Sequence, residues 1–192
     1  MRAKAVVLVL GALAASGCVP DWAQQGESPN VLLVTGINSG TPISSDVRIS
    51  NGSVCADFVN VRVENHLKNP LNTDASFRSD IVIERYDVRY IRSDGLSTEG
   101  VDVPFRITGN VAQEIQASNA AVLNLEVVRR QAKLEPPLRN LAALGGAQVV
   151  TMFAEVTLHA RSTVQQTTNS ATARLQIDFA DFADALTTCP GQ

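Results

Sequence analysis

The sequence predicts a mainly β protein, an antiparallel β-sandwich of the Ig-like or a related type with about seven to nine strands. Three observations predict it. Apolar residues alternate with polar ones over several separate runs, which is the period of a strand with one buried and one wet face. Turn-forming clusters separate the runs. Only one segment, near 137–144, has helical punctuation.

The β signal starts at Val31. "SNGS" (Ser50–Ser53) reads as a turn, and Val59, Val61 and Val63 then alternate with Asn60, Arg62 and Glu64. After the turn cluster "HLKNPLN" (His66–Asn72) comes "DIVIERYDVRYIRSDG", whose parity changes midway. Ile81 and Ile83 are odd-numbered, whereas Tyr86, Val88 and Tyr90 are even. A continuous strand would send the two groups to opposite faces. One extra residue near Glu84-Arg85, a β-bulge, restores a single apolar face. It also leaves Arg85, Asp87 and Arg89 as an alternating charge row on the outer face, either a solvated ladder or a partner-binding strip.

Downstream, "SDG" (Ser93–Gly95) reads as a turn. Val101, Val103, Phe105 and Ile107 alternate with Asp102, Pro104, Arg106 and Thr108. Pro104 marks that strand as an edge, because proline cannot donate into a ladder. "EPPLRNLAALGG" reads as a short helix over 137–144, with Pro136 and Pro137 at its start, Gly145 and Gly146 at its end, and Leu138, Leu141 and Leu144 along one side. Val150 to Ala160 alternates throughout, "TTNS" (Thr167–Ser170) reads as a turn, and Ala173, Leu175, Ile177 and Phe179 form the last strand face.

Residues 1–17 have a different character. Arg2 and Lys4 precede an apolar run from Ala5 to Ala15 and the small pair Ser16-Gly17, the anatomy of a secretory signal peptide. The run is too short to cross a bilayer as a helix. Residues 18–29 lack periodicity and read as a flexible tether, leaving 30–192 as a single sandwich domain. Ala15-Ser16-Gly17-Cys18 resembles the lipobox of bacterial lipoproteins, with Ala15 where that family favours Leu. The resemblance implies that Cys18 becomes the first mature residue and carries a diacylglyceryl thioether, often with a further acyl chain such as palmitate. Val19, in place of the Asp of inner-membrane retention, implies an outer-membrane destination in a bacterial envelope.

The 192-residue chain has 16 Lys and Arg against 19 Asp and Glu, a net charge of −3. Loss of Arg2 and Lys4 with the leader would take it to about −5, and no basic cluster appears, so nucleic acid is not an expected partner. Assigning Cys18 to lipid leaves Cys55 and Cys189 as an even pair. In an oxidising compartment they read as a disulfide. The alternative, a reactive thiol, lacks a neighbouring His or a Cys-x-x-Cys motif.

"VNVRVENHLKNPLN", "IVIERYDVRY" and "GVDVPF" resemble the strand–Asn-Pro–strand pattern of WHy/LEA14-type β-sandwich domains, with Asn69-Pro70 later after the strand valines than in that family. The resemblance implies a sandwich and no activity.

Chemistry leaves little trace. His66 falls in a turn and His159 on a wet strand face, without the short ligand spacings that zinc needs. No nucleophile elbow, phosphate loop or dinucleotide motif occurs; "GINSG" (Gly36–Gly40) reads as a turn. Asp94, Glu99 and Asp102 in "SDGLSTEGVD" are weak calcium candidates whose spacing matches no EF-hand loop. No cofactor is implied. The expectation is a lipid-anchored, non-catalytic binding or assembly module for another envelope protein. The alternatives are a small-ligand-binding protein or enzyme with a dispersed site (Glu84, Tyr86 and Tyr90 beneath the 138–144 helix) and a calcium-stabilised module.

Overall fold

The computed structural model describes residues 28–49, 52–68, 80–163, 167–182 and 188–189. The leader, Cys18, Asn51 and Asn69-Pro70 lie outside them. The strands among the described residues are β1 (Asn30–Ile37), β2 (Ile43–Asp46), β3 (Asp57–Leu67), β4 (Ile81–Arg92), β5 (Ile107–Ile115), β6 (Ala120–Val128), β7 (Val150–Ser162) and β8 (Thr168–Ala180). They form a three-stranded sheet in the order β1–β3–β6 and a five-stranded sheet in the order β2–β8–β7–β4–β5. The β2–β8 pairing is parallel and the rest are antiparallel, so the predicted sandwich is present with one mixed sheet.

Alternation places the core. Val59, Val61 and Val63 of β3 and Leu123, Leu125 and Val127 of β6 point inward from one sheet. From the other come Met152, Ala154, Val156 and Leu158 of β7 and Leu175, Ile177 and Phe179 of β8. All join one buried cluster. The register of β4 shifts between Ile83 and Arg85 against both β5 and β7. Ile81, Ile83, Tyr86, Val88 and Tyr90 are consequently all buried, while Glu84 and Arg85 both face solvent. The tyrosines then reach the other sheet. Tyr86 donates its hydroxyl to the Glu126 carbonyl at 3.2 Å and Tyr90 to that of Val127 at 2.6 Å. Burial pushes both phenols up from their ordinary range. Gly109 pairs with Tyr86 across β4–β5, and a Cβ there would overlap the tyrosine ring.

Three expectations are corrected. The alternating run 101–108 is a strand only from Ile107. Before it, Thr98 accepts from the backbone of Asp102 and Val103, Gly100 takes a φ of +76°, and a single bridge joins Glu99 to Val103. This turn uses the hydrogen bonds that a strand would need. Pro104 is therefore a buried residue of the connection leading into edge strand β5. The short helix expected over 137–144 is present, as a 3-10 helix rather than an α-helix. Leu138–Ala143 is a 3-10 helix, which buries Leu138 and Leu141 and leaves Leu144 exposed. Leucines spaced by three suit that helix, in which i and i+3 eclipse. The α-helix instead lies just upstream, α1 (Arg130–Leu134). The predicted turn Thr167–Ser170 belongs mostly to β8, the hairpin closing through Ser162 N–H to the Thr167 carbonyl at 2.9 Å. At the other terminus of the body, Ser28 is buried and accepts from Asn169 Nδ2 at 2.9 Å, so the packed domain takes in residues assigned to the tether.

One end of the sandwich is held by covalent and ionic links. Cys55 and Cys189 are disulfide-bonded, with Cα atoms 5.4 Å apart and a sequence separation of 134. Closing a loop of that length contributes on the order of 5 kcal/mol in the chain-entropy model. Two residues after Cys55, Asp57 accepts through Oδ1 at 3.0 Å from the Lys133 ammonium of α1, which is 1% exposed and also donates to the Asp46 carbonyl at 2.9 Å. Ser45 Oγ donates to Asp57 Oδ2 at 2.6 Å. A buried ammonium needs such a complete set of acceptors.

Two variants test this packing by urea denaturation. Asp57→Ala strands the Lys133 charge and should lower stability by about 3 kcal/mol. Gly109→Ala forces the Tyr86 ring aside and should cost about 1–3 kcal/mol. An unchanged midpoint in either variant would contradict the role assigned to that contact.

Candidate functional site

The two outward faces of the sandwich differ in how their polar groups are satisfied. On the five-stranded sheet, alternation along β4, β7 and β8 presents charged residues in adjacent rows. Arg161 pairs with Glu84. Glu155 lies between Arg89, whose Nη2 is 2.6 Å away, and Arg174, whose Nη2 is 2.5 Å away. Asp87 accepts from Thr108 Oγ1 at 2.7 Å, meets His159 Nε2 at 2.7 Å, and has Arg85 Nη2 at 4.0 Å. The hydrogen bond from Thr108, followed by that to His159, holds the Asp87 carboxyl below its ordinary range. The Arg89 guanidinium, and then that of Arg174, does the same for Glu155.

Arg85, Asp87 and Arg89, the strip predicted from sequence, do share this face. Asp87 and Arg89 are each engaged by neighbouring strands. Four arginines (85, 89, 161 and 174) face four carboxylates (Glu84, Asp87, Glu155 and Asp178) across the β4, β7 and β8 rows. The result is a locally neutral ladder, and a partner docking there would have to displace existing pairs.

The three-stranded sheet presents another surface. The register sets Arg62 opposite Val122 on one side and Gly36 on the other, with Asn60 opposite Asn124. Leu33, Phe58 and Val122 are exposed, Val122 to 59%. Asn124 Nδ2 donates to Asn60 Oδ1 at 3.1 Å. Glu64 accepts from Thr35 Oγ1 at 3.2 Å and Arg62 Nε at 3.3 Å, with His66 Nε2 at 2.8 Å, and Glu126, opposite Phe58, is a second carboxylate on this face. The contact with His66, more than that with Arg62, lowers the Glu64 carboxyl from the ordinary range.

An open hollow of about 630 Å³ lies on this face, lined among others by Thr35, Gly36, Ser39, Asn60, Arg62 and Val122. Its rim is the predicted "GINSG" turn. Asn38, Ser39 and Gly40 take φ values of +46°, +54° and +77° in succession. Left-handed conformations at non-glycine residues cost on the order of 1–3 kcal/mol each and persist only where local structure enforces them. Here Thr41 Oγ1 donates to the Asn38 carbonyl at 2.7 Å, and Asn38 Nδ2 donates back to that of Thr41 at 2.8 Å.

Sequence reasoning passed over this face, although a signal was present. Phe58 has the same parity as Asn60, Arg62 and Glu64, and Val122 the same parity as Asn124 and Glu126. Each is a large apolar residue on the wet side of its strand.

The other candidates do not assemble. Asp94 pairs with Arg92 at 2.8 Å, Glu99 accepts from Arg106 Nε at 2.8 Å, and Asp102 accepts from the Thr98 N–H at 3.1 Å. The three calcium candidates thus make separate local contacts, and no group of three or more His, Cys, Asp or Glu among the described residues is placed to hold a metal ion. Glu84 faces solvent beside Arg161, whereas Tyr86 and Tyr90 face the core, so the bulge separates the three residues of the dispersed site. Among the described residues no helix is long and apolar enough to cross a membrane. No family model matches the chain, and no curated protein matches it in sequence.

The depressed Glu155 carboxyl gives a pH prediction. In acid the unfolded chain takes up this proton before the folded one. The stability that Glu155 contributes is therefore complete above the ordinary glutamate pKa, about 4.3, and is lost as pH falls below it towards the lower folded value. Urea midpoints followed from neutral pH into this acid range should fall less steeply for Glu155→Gln than for the parent. Parallel curves would show that the two arginines do not hold the carboxyl down.

Proposed function

We propose that this protein is a lipid-anchored β-sandwich of a bacterial envelope, on the outer membrane, and that it serves as a non-catalytic binding or assembly module for another envelope protein. The observation that carries the reading is Cys18, placed after an apolar leader and the small residues Ala15-Ser16-Gly17, and ahead of a proline- and glycine-containing tether. A diacylated cysteine holds a protein stably where a single chain would not. The Cys55–Cys189 bond suits an oxidising compartment.

The body of the protein supports the binding role. Leu33, Phe58 and Val122 stand at exposed outward positions of β1, β3 and β6, and Val122 lines an open hollow on that face. Among the described residues, edge strands β5 and β6 also have hydrogen-bonding edges without a neighbouring strand in their sheets, which is the requirement for strand addition.

Intact-mass analysis and cell fractionation test the anchor. The natural product should begin at Cys18, carry acyl chains and sediment with membranes, and Cys18→Ser should retain an unacylated leader. A natural species still starting at Met1, or one without a fatty chain, would overturn the reading.

A further inference from the structure

We infer that the hollow on the outer face of the three-stranded sheet docks an acidic segment of a partner polypeptide, with a carboxylate held by Arg62 and an adjoining apolar side chain laid against Val122. This specifies the partner chemistry for the binding module proposed above and rests on that reading.

Arg62 is the cation of the hollow. Its side chain is 59% exposed and its Nε is committed to Glu64 at 3.3 Å. Its two terminal nitrogens donate no hydrogen bond among the described residues. Those two N–H-bearing nitrogens form a planar fork that matches the two oxygens of a carboxylate. Glu64 is a poor competitor for the fork because its oxygens are also taken by His66 and Thr35. Three arginines of the opposite face differ, Arg89 and Arg174 closing on Glu155 and Arg161 on Glu84, whereas Arg85 comes only within 4.0 Å of Asp87.

The surroundings favour a polypeptide over a free ion. Val122 lies directly across from Arg62, Phe58 and Leu33 extend the apolar surface on the same face, and Asn60 and Asn124 lie between Phe58 and Val122. Gly36, beside Arg62, has no side chain to narrow the floor, and the hydrogen-bonded turn at Asn38–Thr41 gives the rim a fixed shape. An arginine fork flanked by apolar side chains and amides fits an Asp, a Glu or a chain terminus followed by an apolar residue.

Photocrosslinking in cells producing the full chain tests this. Benzoylphenylalanine replaces Val122 in one strain and Thr172, on the opposite face, in another. From the Val122 position a discrete polypeptide adduct should form, and its cross-linked peptide should carry an Asp, a Glu or a carboxyl terminus within a few residues of the attachment point. Combining it with Arg62→Glu should cut the yield about tenfold, a loss of about 1.4 kcal/mol, while Arg62→Lys retains part of it. The thermal midpoint and membrane attachment of each variant establish that it is folded and correctly placed. A Val122 adduct without a nearby carboxylate, an adduct with lipid or glycolipid, or a yield indifferent to Arg62→Glu would overturn the inference. Adducts only from Thr172 would overturn it and leave the binding-module reading standing; adducts from neither position would remove both.

Discussion

The extra residue in β4 sets the side-chain parity of a strand whose tyrosines reach across to the other sheet. β4 lies between β7 and β5 and sends Ile81 and Ile83 inward before the bulge and Tyr86, Val88 and Tyr90 inward after it. Without the bulge, one of these groups would point to water and the corresponding half of the core would lose its centre. The consequences extend beyond β4. Tyr86 and Tyr90 satisfy their hydroxyls on carbonyls of β6, which couples the edge of the three-stranded sheet to an inner strand of the other. Gly109 is the matching requirement in β5, since the Tyr86 ring lies where a side chain would be.

Polar links close the sandwich at both ends of this apolar layer. At one end the Lys133–Asp57 pair and the Cys55–Cys189 bond join β2, β3, α1 and the C-terminal segment. At the other, buried Asn30 donates to Asn65, Asn65 donates to the Ile115 carbonyl at 3.0 Å, and Asn169 donates to Ser28. Buried amides are directional, so this network fixes how β1, β3, β5 and β8 meet, whereas the apolar middle by itself would tolerate sliding. The outer faces are thereby relieved of structural duty and are free to differ.

They differ in charge balance. On the broad face of the five-stranded sheet, arginines and carboxylates of β4, β7 and β8 are balanced in number, and Arg89, Arg161 and Arg174 close on Glu155 and Glu84. The narrow face of the three-stranded sheet combines exposed Leu33, Phe58 and Val122 with the open fork of Arg62. A surface whose charges are already paired offers little to a partner, since each new contact costs an old one. An arginine whose terminal nitrogens face water beside exposed apolar carbon offers both specificity and buried area. This contrast is the reason the proposed binding role is placed on the smaller sheet.

Much of the architecture was legible locally. Parity in β3, β7 and β8 placed the core residues, the parity change at Glu84-Arg85 located the bulge, and the cysteine count with the resemblance at Cys18 left Cys55 and Cys189 to each other. These are features of period and parity, which a strand imposes on its own residues. Residues 101–106 show the limit, because their alternation is as clean as that of a strand but the Thr98–Val103 turn captures their backbone hydrogen bonds. The parallel docking of β2 on β8, the meeting of Lys133 with Asp57 across 76 residues, and the grouping of Arg62, Val122 and Gly36 around one hollow were decided by tertiary structure alone. Side-chain period says which way a residue faces, whereas long-range pairing decides what it faces, and that depends on the whole chain closing at once.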